Sequence, residues 1–329
     1  MTDASDGLTM VDAINRALHE AMAEDDSTAV MGQDVGVNGG VFRVTEGLID
    51  DYGAARVIDT PLAESGIVGL AIGMAMNGAR PIAEMQFSGF SYYALAQIEN
   101  HAARIRWRTR GAHTVPLVIR MPYGAGVRAL EHHSESREVF YGHMPGLKTV
   151  IPATPARAHA LLHAAIRDPD PVIFMEPKAV YRQMREPIAD DAEPAQIGTS
   201  RVVRRGKDLT LVSYGAMLHR ALEAAETLAA EDIDIEVIDI ETIAPLDAET
   251  IATSVGQTGR LLIVNEAPPS YGAAGEIAMR VIEQEFYALR VPIRRVCGWD
   301  VHVPFFAREQ TYLPSVDRIR GAARGMMAD

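Results

Sequence analysis

The sequence predicts an α/β protein of two domains, each built on a mostly parallel sheet. Three observations point there. Short apolar segments alternate with longer amphipathic ones along most of the chain, the pattern of parallel strands joined by helices. The chain has 329 residues, enough for two domains of about 100–200 residues each. From Glu186 the composition turns to proline, alanine and acid, with Pro187, Asp190, Asp191, Glu193 and Pro194. That stretch, 186–199, reads as a linker between a domain over 1–185 and a second over 200–329.

Thr9 is placed to cap a first helix, in which Met10, Val11, Ile14, Ala17, Leu18, Ala21 and Met22 recur at helical spacing. Strand-like runs follow at 29–31 and 57–58. Thr60 and Pro61 suit the cap and first position of a second helix. Its small residues Gly66, Gly69, Ala71, Gly73 and Ala75 suit close packing, against this chain or another. Next come a strand over 81–87, a long helix over about 91–110, a strand over 115–120 and a loop with Gly124 and Gly126. A strand over 149–151 leads to a helix capped by Thr154 and opened by Pro155, and then to a strand over 171–175. In the second domain, strands over 209–213, 235–240 and 261–264 alternate with helices over 218–230, 248–255 and 275–288. No internal repeat is present.

The net charge is −13 with no offsetting block of Lys and Arg, which argues against a nucleic-acid partner. The single cysteine, Cys297, forms no intrachain disulfide and reads as a buried hydrophobe. No apolar run is long enough to span a bilayer, and the polar first residues do not read as a signal peptide. A cytoplasmic or matrix-like compartment is the expectation.

Several motifs are missing. Gly206-Lys207 is followed by Asp208 and is not a P-loop. Gly124-Ala125-Gly126 lacks the third glycine of a dinucleotide fingerprint. Glu131-His132-His133 is not a zinc motif, because adjacent histidines do not share a helix face.

Other motifs carry a resemblance. They are Asp59-Thr60-Pro61-Leu62-Ala63-Glu64-Ser65-Gly66, Pro81-Ile82-Ala83-Glu84-Met85-Gln86-Phe87 and His133-Ser134-Glu135-Ser136. Tyr141 to Lys148, Ile166 to Pro171, Glu176-Pro177-Lys178 and Val264 to Ala267 continue the match, which runs from Thr9 to about Ile319. Together they resemble the beta subunits of thiamine-diphosphate-dependent 2-oxo acid dehydrogenases. The resemblance implies a pyrimidine-binding domain like that of transketolase, followed by a transketolase-like C-terminal domain.

Taken alone, Glu64 at a helix start reads as a surface residue complementing the dipole. The resemblance implies instead a catalytic carboxyl beside the aminopyrimidine nitrogen of the cofactor, sharing a proton with the ring. Leu62, Gln86 and Phe90 match positions that line that ring, with Phe90 stacked on it. His133, in preference to His132, matches a catalytic histidine beside the reactive carbon. Leu117, Ala165, Ile166, Asp168 and Asp170 match the oxygen ligands of a structural potassium ion; a solvated turn is the plain alternative.

No Gly-Asp-Gly run is present to hold the magnesium of the diphosphate. The resemblance places that Mg2+ on an alpha subunit, within an assembly of two alpha and two beta chains. It also implies beta–beta pairing and docking to a lipoyl acyltransferase core. The implied reaction decarboxylates a 2-oxo acid and passes the acyl group to lipoyl-lysine. Branched-chain 2-oxo acids are the expected substrates, with pyruvate as the alternative. A transketolase-like subunit or a non-catalytic scaffold are the competing readings.

Overall fold

The computed structural model describes residues 7–189 and 194–328; Asp190, Asp191 and Glu193 of the expected linker lie outside the described residues. The chain divides into two compact units. One comprises residues 1–123 and 140–197, the other residues 124–139 and 198–329.

In the first unit, helix α1 (Met10–Glu24) begins where Thr9 and Asp12 exchange capping hydrogen bonds. Its stripe of Met10, Ile14, Leu18 and Met22 is fully buried. Burial of each such side chain contributes about 1.5–3 kcal/mol. Helix α3 (Pro155–Arg167), capped by Thr154, packs against it. Helix α2 (Glu64–Met76) lies between them in sequence. The strands are β1 (Thr28–Gly32), β2 (Val57–Asp59), β3 (Arg80–Glu84), β4 (Val118–Tyr123), β5 (Lys148–Val150) and β6 (Val172–Pro177). They lie in the order β5-β6-β4-β3-β1-β2, every pair parallel.

Register aligns the strand ends. Gly32 sits opposite both Asp59 and Glu84, and Glu84 sits opposite Arg120. Arg120 is buried on the middle one of three strands. Its Nη1 donates to Glu84 on β3 at 2.7 Å and its Nη2 to Glu176 on β6 at 3.0 Å. Arg120 Nε also lies 2.7 Å from Glu176 Oε1. That N–H is misaligned, so the contact is an ion pair without a hydrogen bond. The Tyr181 hydroxyl donates to Glu176 as well. Burial opposes the guanidinium charge, but Glu176 and Glu84 outweigh it and raise the Arg120 pKa.

The second unit carries β7 (Arg201–Arg204), β8 (Leu209–Ser213), β9 (Ile235–Asp239), β10 (Leu261–Val264) and β11 (Arg294–Val296). Their order is β11-β10-β8-β9-β7, parallel except for the antiparallel edge strand β7. Helices α4 (Met217–Ala229), α5 (Ala248–Thr258), α6 (Ala273–Glu285) and α7 (Val316–Ala328) accompany them. Asp247 caps α5 and Gly259 ends it at φ +70°. No helix among the described residues is long and apolar enough to cross a membrane.

Two expected elements differ. The second helix starts at Glu64, not after Thr60, and Ala63 occupies the cap position without a side-chain hydrogen bond. The long helix over 91–110 is broken into a 3-10 turn (Ser88–Ala94), a short α turn (Leu95–Gln97), a π turn (Ile98–Ala102) and an α turn (Ile105–Arg108). Ser91 returns its hydroxyl to the Ser88 carbonyl, which competes with the helical ladder. Gly146 presses on the Ala103 carbonyl so closely that a Cβ there would lie 2.1 Å from it. Backbone intrusion of this kind shifts the register into a π turn.

Replacing Arg120 with methionine strands two buried carboxylates. The expected cost is about 3–5 kcal/mol, read as a lower denaturation midpoint in urea at unchanged slope. A midpoint equal to that of the parent would show that the cluster is not a structural tie.

Candidate functional site

Open α/β sheets bind ligands beyond the carboxyl ends of their strands, at the point where strand order reverses. In the first unit that point is β1, which has β2 on one side and β3 on the other. Because Gly32, Asp59 and Glu84 are in register, the three segments leaving these strands start side by side. They carry Asp34, then Leu62 and Glu64, then Gln86, Phe87 and Phe90.

Glu64 opens α2 and is only 7% exposed. Its carboxyl accepts no hydrogen bond from any described residue. The free N–H groups and dipole of the first helical turn favour a negative charge there. Asp59, at the end of β2, accepts from the backbone N–H of Gly36 at 2.6 Å and of Val37 at 3.1 Å. Those bonds fold the segment after β1 over the strand ends. Gln86 Nε2 donates to Asp34 at 2.9 Å, as does Asn38 Nδ2. Phe90 meets Phe87 edge-on with centroids 5.9 Å apart, and Phe87 meets Phe42 at 5.5 Å. Leu62 is 78% exposed, an apolar side chain with no cover from this chain. Register therefore starts the segment bearing Leu62 and Glu64 and the segment bearing Gln86 and Phe90 at the ends of β2 and β3, on either side of β1.

His133 belongs to the segment that joins the second unit. It closes a 3-10 turn, Glu131–His133, with its ring 4.1 Å from that of His132. Carboxylates of the second unit anchor this segment. Glu266 accepts from the Ala125 N–H at 2.9 Å, and Glu309 accepts from the Arg128 N–H with both oxygens at 3.1 Å. The Tyr214 hydroxyl donates to buried Glu138 at 2.5 Å, and burial raises the Glu138 pKa despite that bond.

The oxygens expected around potassium are largely engaged. The Leu117 carbonyl accepts from the Val172 N–H and the Ala165 carbonyl from the Asp168 N–H. The Ile166 carbonyl accepts from Arg80. Lys148 Nζ donates to both oxygens of Asp168, at 2.7 and 2.6 Å, and Arg106 pairs with Asp170. Cationic side chains thus already serve the two carboxylates, which leaves an ion the second lone pairs of the carbonyls. Cys297 is buried, and burial pushes its thiol up to about 11, the signature of an unreactive side chain.

The roles of Asp34 and Asp59 escaped the sequence reading. Asp59 had a visible signal, an acid ending a strand just before Thr60-Pro61; Asp34 is placed by tertiary contacts alone.

Residues 6–184 match the family model for the transketolase pyrimidine binding domain, and residues 198–319 match that for the transketolase C-terminal domain. A pyruvate dehydrogenase E1 component subunit beta from Acholeplasma laidlawii is 47% identical, over 96% of this chain and 97% of that protein. The chain belongs to the E1 beta-subunit family of thiamine-diphosphate-dependent 2-oxo acid dehydrogenases. A 3-methyl-2-oxobutanoate dehydrogenase subunit beta from Mycobacterium tuberculosis is also 47% identical, over 97% of this chain and 92% of its own. The corresponding pyruvate dehydrogenase subunit of Bacillus subtilis is 42% identical over 97% and 98%. Family members at equal identity thus carry different substrate names. A solved split-gene transketolase, described as an inactive beta4 tetramer, superposes with a TM-score of 0.81 over 98% of this chain and 99% of its own. At 22% identity that likeness establishes the shared fold.

Gly124, at φ +83°, would place a Cβ 2.5 Å from the Glu266 carboxylate. Gly124→Ala is expected to cost about 1–3 kcal/mol, seen as a lower melting temperature. An unchanged melting temperature would mean that the anchor of the His133 segment is slack.

Proposed function

We propose that the strand-end cluster of the first unit holds the aminopyrimidine half of thiamine diphosphate, with Glu64 as the catalytic carboxyl. The observation that carries this reading is the carboxyl of a residue only 7% exposed, at the strand-end cluster of the sheet, that accepts no hydrogen bond from any described residue. A positioned carboxyl is suited to share a proton with a ring nitrogen. Gln86 and Phe90, on the segment after β3 across β1 from it, offer an amide and an aromatic face. Leu62, left exposed, suits the edge of the same ring. Bound thiamine diphosphate supplies the electron sink for decarboxylation. Glu64 holds the proton at the ring nitrogen, and His133 binds the carboxylate of the incoming 2-oxo acid or moves protons during acyl transfer.

No Gly-Asp-Gly run occurs in the chain, so the diphosphate and its magnesium fall to an alpha subunit. Helix α2 suits that contact. Gly73 meets nothing within 4 Å and Gly66 only Ala63, at 3.6 Å, so packing within the chain does not account for these glycines. Leu70 and Met76 on the same helix remain exposed. An assembly of two alpha and two beta chains, feeding a lipoyl acyltransferase core, completes the reading.

The proposed substrates are branched-chain 2-oxo acids, supported by the Glu131-His132-His133-Ser134 and Met85-Gln86-Phe87 runs. The Acholeplasma relative supports pyruvate as the second reading.

With a co-expressed alpha subunit and an artificial electron acceptor, Glu64→Gln should lower turnover about 100-fold or more and leave the melting curve intact. A variant as active as the parent refutes the role. On the same complex, kcat/KM for 3-methyl-2-oxobutanoate should exceed that for pyruvate; the reverse order selects the second reading.

A further inference from the structure

Away from the strand ends, α1 and α3 bring two imidazoles and a carboxylate to one point. His159 and His163 are four residues apart on α3, so they share a face of the helix. Glu20 reaches across from α1. Its Oε2 lies 2.7 Å from His159 Nε2 and 2.8 Å from His163 Nε2. The potential ligand atoms all fall within 4.8 Å of one another. The other oxygen of Glu20 is held by Arg16 Nε at 2.6 Å, which fixes the carboxylate and leaves Oε2 facing the histidines.

We propose that Glu20, His159 and His163 form a binding site for a divalent transition ion, with zinc as the best fit, that ties α1 to α3. Two neutral imidazoles and one carboxylate are a recognised three-ligand set for zinc, with a fourth position open to water. The partial exposure is right for that. The histidine side chains keep 14% and 12% of their surface and Glu20 keeps 33%, so the ligands are shielded while one side stays wet. The ring planes are inclined at 67° with centroids 4.8 Å apart, so the two nitrogens approach a shared point from different directions. A zinc ion about 2.0–2.1 Å from each ligand atom separates those atoms by roughly 3.3 Å. The side chains reach that spacing by opening the two hydrogen bonds by about half an ångström and by drawing together the ligand atoms, which lie within 4.8 Å of one another. Each ring then presents Nε2 as a lone pair, with its proton moved to Nδ1 or to solvent.

The site lies on the outer pair of helices and uses no residue of the strand-end cluster. Its role is to clamp α1 against α3. Zinc should therefore stabilise the protein whatever the fate of Glu64.

The test is a calorimetric titration of the full chain with zinc chloride, paired with thermal melting. The comparison is the His159→Gln/His163→Gln double variant, in which the amides keep hydrogen bonds to Glu20 but ligate zinc poorly. The expected result is one ion per chain with a dissociation constant below about 10 µM and a melting temperature raised by roughly 5 °C. The double variant should fold, with its affinity reduced at least about 100-fold and no zinc-dependent rise in melting temperature. Equal binding by parent and variant overturns the proposal, and so does the absence of binding to the parent.

Discussion

The buried guanidinium of Arg120 is the constraint on which the first unit depends. A cation without water in the middle of a sheet demands anions close by. Here they come from the strand on each side, Glu84 on β3 and Glu176 on β6. Pairing of hydrophobic strands alone permits slippage, and a slip of one residue turns every side chain to the opposite face. A slip of β3 or β6 against β4 would also break an ion pair that is desolvated and cannot be repaired by solvent. The cluster sits at the carboxyl ends of the strands, where register matters most for the segments that follow.

Function follows from that alignment. With Glu84 fixed opposite Gly32, and Gly32 opposite Asp59, the segments bearing Gln86, Asp34 and Glu64 begin at one level. Asp59 then draws down the segment after β1 through the N–H groups of Gly36 and Val37. Glu64 is left at a helix start with no hydrogen bond to its carboxyl from any described residue. Leu62, Leu70 and Met76, before and on the same helix, are exposed apolar side chains.

Much of the fold was legible because its elements follow local rules. Thr9 and Thr154 cap helices as their side chains predict, and β8 and β10 read directly as short apolar runs between polar turns. What was not legible came from contacts distant in sequence. The segment over 91–110 has helical composition, yet it forms short turns of different pitch, with Gly146 against the Ala103 carbonyl and Tyr141 bonded to Ser91. Thr60-Pro61 looks like a helix start, but the chain runs on to Glu64 before turning. At the site, Glu64 was found by resemblance to a family motif, since a lone acid at a helix start has no special chemistry. The sequence did not single out His159 and His163, and only the fold brings Glu20 to them.

The central claim is that one side chain, Glu64, meets the pyrimidine ring of a coenzyme whose phosphates are held by another subunit. The most direct measurement is a crystal structure of the assembled alpha–beta complex with thiamine diphosphate bound. The account predicts a Glu64 carboxyl oxygen at hydrogen-bond distance, about 2.5–3.0 Å, from the ring nitrogen, with the diphosphate and magnesium on the alpha chain. A carboxyl turned away from the ring, or a coenzyme wholly enclosed by the beta chain, would contradict it.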